Sequence, residues 1–158
     1  MNNSVINEEI VLKYPDGFGL MDSEELKKYF GTSNNMSGIR NAEQHIIMSF
    51  AWNRLNILTS VLADDKSVLN GMEKKLKGNL KEYKRTSDIS INVCGVKANG
   101  FNFEYTSNDG DIAQTGKIII FKLGKCLYIV QFAARKEQEQ QAQNVFDEII
   151  TSMTIGKN

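Results

Sequence analysis

Apolar and polar positions alternate along most of this chain, and three stretches change to helical spacing. The densest apolar stretch runs from Gly116 to Met153. Its first half reads as a β-hairpin, Ile112 to Leu123 out and Cys126 to Ala134 back, with Gly124-Lys125 as a two-residue type II′ loop. That loop sets Leu123 against Cys126, Phe121 against Tyr128 and Ile119 against Val130 on one side. Ile118, Ile120, Leu127 and Ile129 then lie on the other. Both sides are apolar, so both must be covered. Ala142, Val145, Phe146, Ile149, Ile150 and Met153 recur at helical spacing and provide a closing helix as one cover.

The rest of the chain is read in the same way. Val5, Ile6, Ile10 and Leu12 predict a first strand over Val5 to Tyr14, ended by the turn Tyr14-Pro15-Asp16-Gly17. Asp22 and Glu25 form a capping box for a helix to Phe30, Met21 and Leu26 its staple, and Gly31 stops it. Thr32 to Ser37 reads as a loop, Gly38 to Arg40 as a short strand, and His45 to Trp52 as a central strand. Asn53 to Asp65 has no clear period. Leu69, Met72, Leu76, Leu80 and Tyr83 share one helical face and predict a helix over Val68 to Lys84. Ile89 to Cys94 and Val96 to Thr106 alternate as strands, and Asn108-Asp109-Gly110 marks a hairpin turn. With Asp109-Gly110 as the loop, Phe103 lies opposite Gly116 and fills the space of its missing side chain. The expectation is an α+β fold: a mostly antiparallel sheet of about six strands with helices on both faces, in one domain over residues 1–158.

Composition changes little in this picture. The 158 residues are 41% hydrophobic and 24% charged, ordinary for a folded domain. Lys plus Arg and Asp plus Glu are 19 each, so no global charge steers the chain to nucleic acid or an anionic membrane. No basic, apolar leader opens the sequence and no window suits a membrane span, which with two cysteines predicts a cytoplasmic protein with free thiols.

This order of elements resembles the PsbP-like superfamily, which includes the photosystem oxygen-evolving subunit and the Ran-binding Mog proteins. The resemblance rests on Tyr14-Pro15-Asp16-Gly17-Phe18 after the opening strand and on the helix before the Gly95-to-Phe103 strand. It rests also on the Gly116-to-Ala134 hairpin with Leu127-Tyr128-Ile129-Val130, and on the last helix from Phe146 to Met153. It implies an α/β/α sandwich and a non-enzymatic docking or assembly role, nearest the uncharacterised bacterial branch. It transfers no site residue.

Candidate chemistry is sparse. Gly17-Phe18-Gly19 lies between a strand and a helix, yet lacks the third glycine of a dinucleotide fingerprint. His45 is the only histidine, so no histidine metal cluster is expected and no cofactor is implied. Cys94 and Cys126 sit in apolar strand patterns, as small buried hydrophobes do. Asp64-Asp65, and Asp109 with Asp111, suit caps and turns.

Lys74, Lys77, Lys81 and Lys84 step along the Val68-to-Lys84 helix as a basic row. With Trp52, Leu55 and Ile57 they are the candidate surface for docking another protein. The leading expectation is thus a non-catalytic interaction or assembly module, with self-association through an edge strand as one form. Two alternatives stand beside it. One is a small-ligand binder with a cavity between sheet and helix, into which Glu104, Gln114 or Gln131 points. The other is an enzyme using Cys94 or Cys126 as nucleophile.

Overall fold

A computed structural model describes residues 1–55 and 64–156. Its strands are β1 (Asn2–Ile6), β2 (Ile10–Tyr14), β3 (Gly19–Leu20), β4 (Met36–Asn41), β5 (Ile46–Arg54), β6 (Lys81–Val93), β7 (Val96–Thr106), β8 (Ala113–Leu123), β9 (Cys126–Arg135) and β10 (Thr154–Ile155). The helices are α1 (Ser23–Phe30), α2 (Asp65–Asn79) and α3 (Glu139–Ser152), the last entered through a 3-10 turn at Lys136–Gln138. Seven strands form one antiparallel sheet in the order β3-β4-β5-β9-β8-β7-β6, and β1-β2-β10 form a second, small one.

The hairpin register is as the sequence predicts. Leu123 pairs with Cys126, Phe121 with Tyr128 and Ile119 with Val130. Gly124 has φ 58°, as the first central position of a type II′ loop requires. Phe103 pairs with Gly116. The preceding loop is wider than Asp109-Gly110, since Ser107 N–H already donates to Ile112 O at 2.9 Å. It widens by one residue on each side, which leaves the register unchanged.

Both faces of the large sheet are covered. On one, Ile119, Phe121, Tyr128, Val130, Phe132, Met48 and Phe50 pack with Phe146 and Ile149 of α3 and with Ile6, Ile10 and Leu12 of the small sheet. On the other, Ile118, Ile120, Phe101, Phe103 and Leu127 pack with Leu69 of α2, and Met72, Leu76 and Leu80 close over them. α1 lies on that second face, where Gly38 of β4 leaves room for Leu26 and Met21.

Three expectations are corrected. The opening strand is two strands, because Asn7 and Glu8 both take positive φ (52° and 54°) and Glu9 N–H donates to Ile6 O at 3.0 Å in a tight turn. The short strand at Gly38 to Arg40 begins earlier, at Met36, while His45 lies in the β4–β5 turn at φ 56°. The helix predicted to Lys84 ends at Asn79: Leu80 is already extended, and Lys81, Tyr83 and Lys84 belong to β6. Leu80 and Tyr83 reach the same apolar cluster as the helix does, so helical spacing continued past the helix end. The strand β6 therefore starts well before Ile89.

The start of α1 follows its signal, whereas α2 begins at Asp65, capped by Asp64, three residues before the predicted Val68. Asp22 accepts from Glu25 N–H at 2.8 Å and Glu25 Oε1 accepts from Asp22 N–H at 3.4 Å, a complete capping box, and Gly31 ends α1 at φ 81°. Asp22→Ala is expected to cost about 1 kcal/mol, read as a lower urea midpoint at unchanged slope.

Lys117 is an exception to the apolar pattern beneath α3. It is buried, donates to Asn102 Oδ1 at 2.6 Å and sits 5.4 Å from the centre of the Phe146 ring. Burial lowers its pKa, opposed by Asp147 and Glu139. Folding therefore disfavours the charged form. That cost is fully present below the folded pKa and fades as pH rises to the unfolded value. Lys117→Met should stabilise the protein by about 1 kcal/mol at pH 7, with the gain shrinking as pH approaches 10. Urea titrations across that pH range check both sign and trend.

Candidate functional site

The predicted docking residues do not form one stripe. Lys74 and Lys77 are exposed on α2. Lys81, on β6, is held by Asp111 at 2.5 Å across the β7–β8 loop. Lys84 pairs with Glu104, whose neighbour on β8 is Thr115, so its side chain is on the α3 face. Trp52 is half-buried against the α3-side core, and its backbone N–H donates to Asn35 O at 3.0 Å. Leu55 is half-buried on the α2 side, with its N–H on Lys125 O at 2.8 Å. Ile57 lies outside the described residues. The inner edge of α2 is instead fixed by Glu73, which accepts from Tyr83 Oη at 2.7 Å and from Arg85 Nη1 at 3.4 Å. Burial, then this hydrogen bond to Glu73, raises the Tyr83 hydroxyl far above its usual range.

The residues of a thiol enzyme are placed apart. His45 precedes β5, whereas Cys126 pairs with Arg54 at the far end of that strand. At about 3.3 Å per residue this separates them by roughly 30 Å. Cys94 lies in the β6–β7 turn at φ 52°, at the same end as Cys126. Both thiols are half-buried, less enclosed than the strand pattern predicts. Burial and then Glu9 raise the Cys94 thiol, which lowers its thiolate fraction. Beside them Tyr128 donates to Glu9 at 3.1 Å, and burial pushes its hydroxyl up to about 12. Among the described residues no three His, Cys, Asp or Glu side chains could hold a metal ion. Gly17-Phe18-Gly19 opens into β3, which runs antiparallel to β4 after α1, so the parallel crossover of a dinucleotide site is replaced by a hairpin-like return.

At the His45 end is a cleft of about 280 Å³, bounded by α1, the β4–β5 turn and the β7–β8 loop. Ile46, Ile47 and Ala133 form apolar lining, and Tyr29, Arg40, His45, Tyr105, Ser107 and Gln114 add rings and polar groups. Gln114 is thus the one of the three predicted polar strand residues that lines it. Gln131 pairs with Ile118 on the same face but lies deeper along β9. Glu104 is on the opposite face, bound to Lys136 at 2.7 Å.

The cleft is positioned by α1. Glu25 uses one oxygen in the capping box and the other to accept from Arg40 Nη1 at 2.9 Å. Tyr29, one turn later, stands 5.7 Å from the Arg40 guanidinium. Asn41 Oδ1 accepts from Gln44 N–H at 3.0 Å and holds the turn that carries His45. Burial raises the hydroxyl of Tyr105. Of these the sequence singled out only Gln114 for a ligand cavity; His45, Tyr29, Arg40 and Tyr105 come from separate elements and share no motif.

Among the described residues no helix is long and apolar enough to cross a membrane. No curated protein sequence matches the chain significantly. Solved structures do. Cyanobacterial PsbP (CyanoP) from Synechocystis matches with a TM-score of 0.68 and 10% identity over 97% of this chain and 90% of that one. LpqN of Mycobacterium tuberculosis, involved in cell envelope biogenesis, matches with 0.62 and 17% over 94% and 83%. The Saccharomyces cerevisiae Ran-binding protein Mog1p matches with 0.60 and 11% over 98% and 96%. These likenesses establish a shared fold. The model of the PsbP-like protein family matches residues 3–155, nearly the whole chain, and the chain belongs to that family.

Proposed function

We propose that this protein is a non-catalytic protein-interaction or assembly module, acting in the cytoplasm as one domain over residues 1–158. The observation that carries this reading is the filling of the sheet on both faces. Ile118, Ile119, Ile120 and Phe121 are all 1% exposed or less, so side chains occupy the space beneath the helices where a substrate cavity would lie. The separation of His45 from both cysteines, and the fold shared with a Ran-binding protein, support the same reading. The partner is another protein, or a second copy of this chain, and not nucleic acid. Its docking face centres on Lys74 and Lys77 of α2, with Trp52, Leu55, Ile57, Lys81 and Lys84 as the outlying positions to be tested.

Cross-linking in the native cell, followed by recovery of the tagged protein, tests this. The double variant Lys74→Glu/Lys77→Glu should lose a partner that the wild type captures, and Trp52→Ala should lose it less. Equal capture by all three proteins would remove the docking face. Sedimentation of the purified protein checks the second-copy case.

A further inference from the structure

We propose that the cleft at the His45 end is a binding site for a carboxylate carried on an apolar or aromatic body. The lining has one guanidinium, that of Arg40, and one imidazole, that of His45, and no Asp or Glu lines it. Arg40 is held in place from behind. Glu25 takes one of its five N–H groups at 2.9 Å, and the Tyr29 ring lies 5.7 Å from the guanidinium carbon. Glu25 is itself fixed by the capping box of α1. The guanidinium is therefore oriented before any ligand arrives, and a carboxylate takes two parallel hydrogen bonds from such a fork. Glu25 offsets part of the positive charge, so a single carboxylate suits the site better than a phosphate, which needs further donors. Tyr29 and Tyr105 offer rings, Ile47 and Ala133 an apolar floor, and Gln114 and Ser107 neutral polar contacts. The cleft's 280 Å³ fits a body the size of one aromatic side chain rather than a large cofactor.

This site stands apart from the α2 docking face and survives the failure of that reading. A free aromatic acid and the C-terminal residue of a peptide carry the same chemistry, and the test separates them. Phenylacetate, phenylacetamide, and a short peptide ending in Phe with a free or amidated C-terminus are each titrated into the full chain and followed by NMR. Phenylacetate is expected to shift Ile46, Ile47, Tyr105 and Gln114 resonances and to bind about tenfold or more tightly than phenylacetamide, the effect of losing a hydrogen-bonded charge. Arg40→Met should weaken phenylacetate about tenfold, and Gln114→Ala a few-fold. Arg85→Met, on β6 and outside the lining, should leave binding unchanged. Binding by the free-ended peptide and not the amidated one assigns the site to a chain terminus; binding by phenylacetate alone assigns it to a free acid. Equal binding of acid and amide, no effect of Arg40→Met in a folded variant, or no shifts at the cleft with any probe would overturn the proposal.

Discussion

Gly100→Ala is expected to unfold this protein or leave it barely folded. Gly100 is in β7 opposite Ile119 of β8. A Cβ placed there would lie 1.8 Å from the Ile118 carbonyl oxygen and 2.8 Å from the Ile119 Cα. Both are backbone atoms of an adjacent strand, held by the ladder on either side, and cannot rotate away as a side chain can. Relief requires parting β7 from β8 beside Ile118 and Ile119, which are fully buried. A loss of about 4 kcal/mol or more is expected, against a total stability of about 5–15 kcal/mol for a domain of ordinary size. Gly71 and Gly78 are the contrast. Both are in α2 with nothing within 4 Å of an added Cβ, and there the same substitution should stabilise by about 0.5–1 kcal/mol. Thermal melts of the three variants side by side give the answer. A Gly100→Ala protein melting near the wild type would mean that β7 turns its backbone to clear the carbonyl.

What the sequence revealed was what local chemistry specifies. The Asp22–Glu25 box and Gly31 delimit α1, and Gly124 fixes a two-residue loop whose register decides which of Ile118 and Ile119 faces which helix. Signals failed where a local rule had two outcomes. Asn7-Glu8 turns tightly with positive φ and no glycine, so the break between β1 and β2 was hidden in an alternating run. Leu80 and Tyr83 cover the same cluster from a strand that a longer helix would cover, and only the tertiary ladder with β7 decides between them. The basic row was lost with that helix end: Lys74 and Lys77 remained on α2 while Lys84 turned to the other face of the sheet. The cleft was the least legible part. Glu25 has a local partner, readable at three residues' distance, and a remote one in Arg40, fifteen residues on, which no periodicity announces.

Gly116→Ala should cost about 2–3 kcal/mol, and most of that cost should depend on Phe103. An added Cβ would lie 2.3 Å from Phe103 Cζ and 2.4 Å from its Cε2. These are ring atoms, so this clash, unlike that at Gly100, can be relieved by moving a side chain. The ring is not free to move, however. It is 6% exposed and stands 5.6 Å from Tyr83, 6.0 Å from Phe101 and 5.8 Å from Tyr105, centre to centre. Leucine lacks Cζ, Cε1 and Cε2, the three ring atoms nearest the added Cβ. Phe103→Leu should itself destabilise, by about 1–2 kcal/mol for the lost ring packing, but should absorb the alanine. The double variant is then expected to fall short of the summed losses by about 1–2 kcal/mol, a coupling that urea titrations of the four proteins measure directly. Additive losses would show that the strand backbone, not the ring, takes up the strain. The same row of rings ends at Tyr105 in the lining of the cleft. A displaced Phe103 must push on Tyr83, Phe101 or Tyr105. If Tyr105 yields, Gly116→Ala weakens carboxylate binding in a protein that still folds, and Phe103→Leu restores it, linking a glycine chosen for sheet packing to the shape of the site.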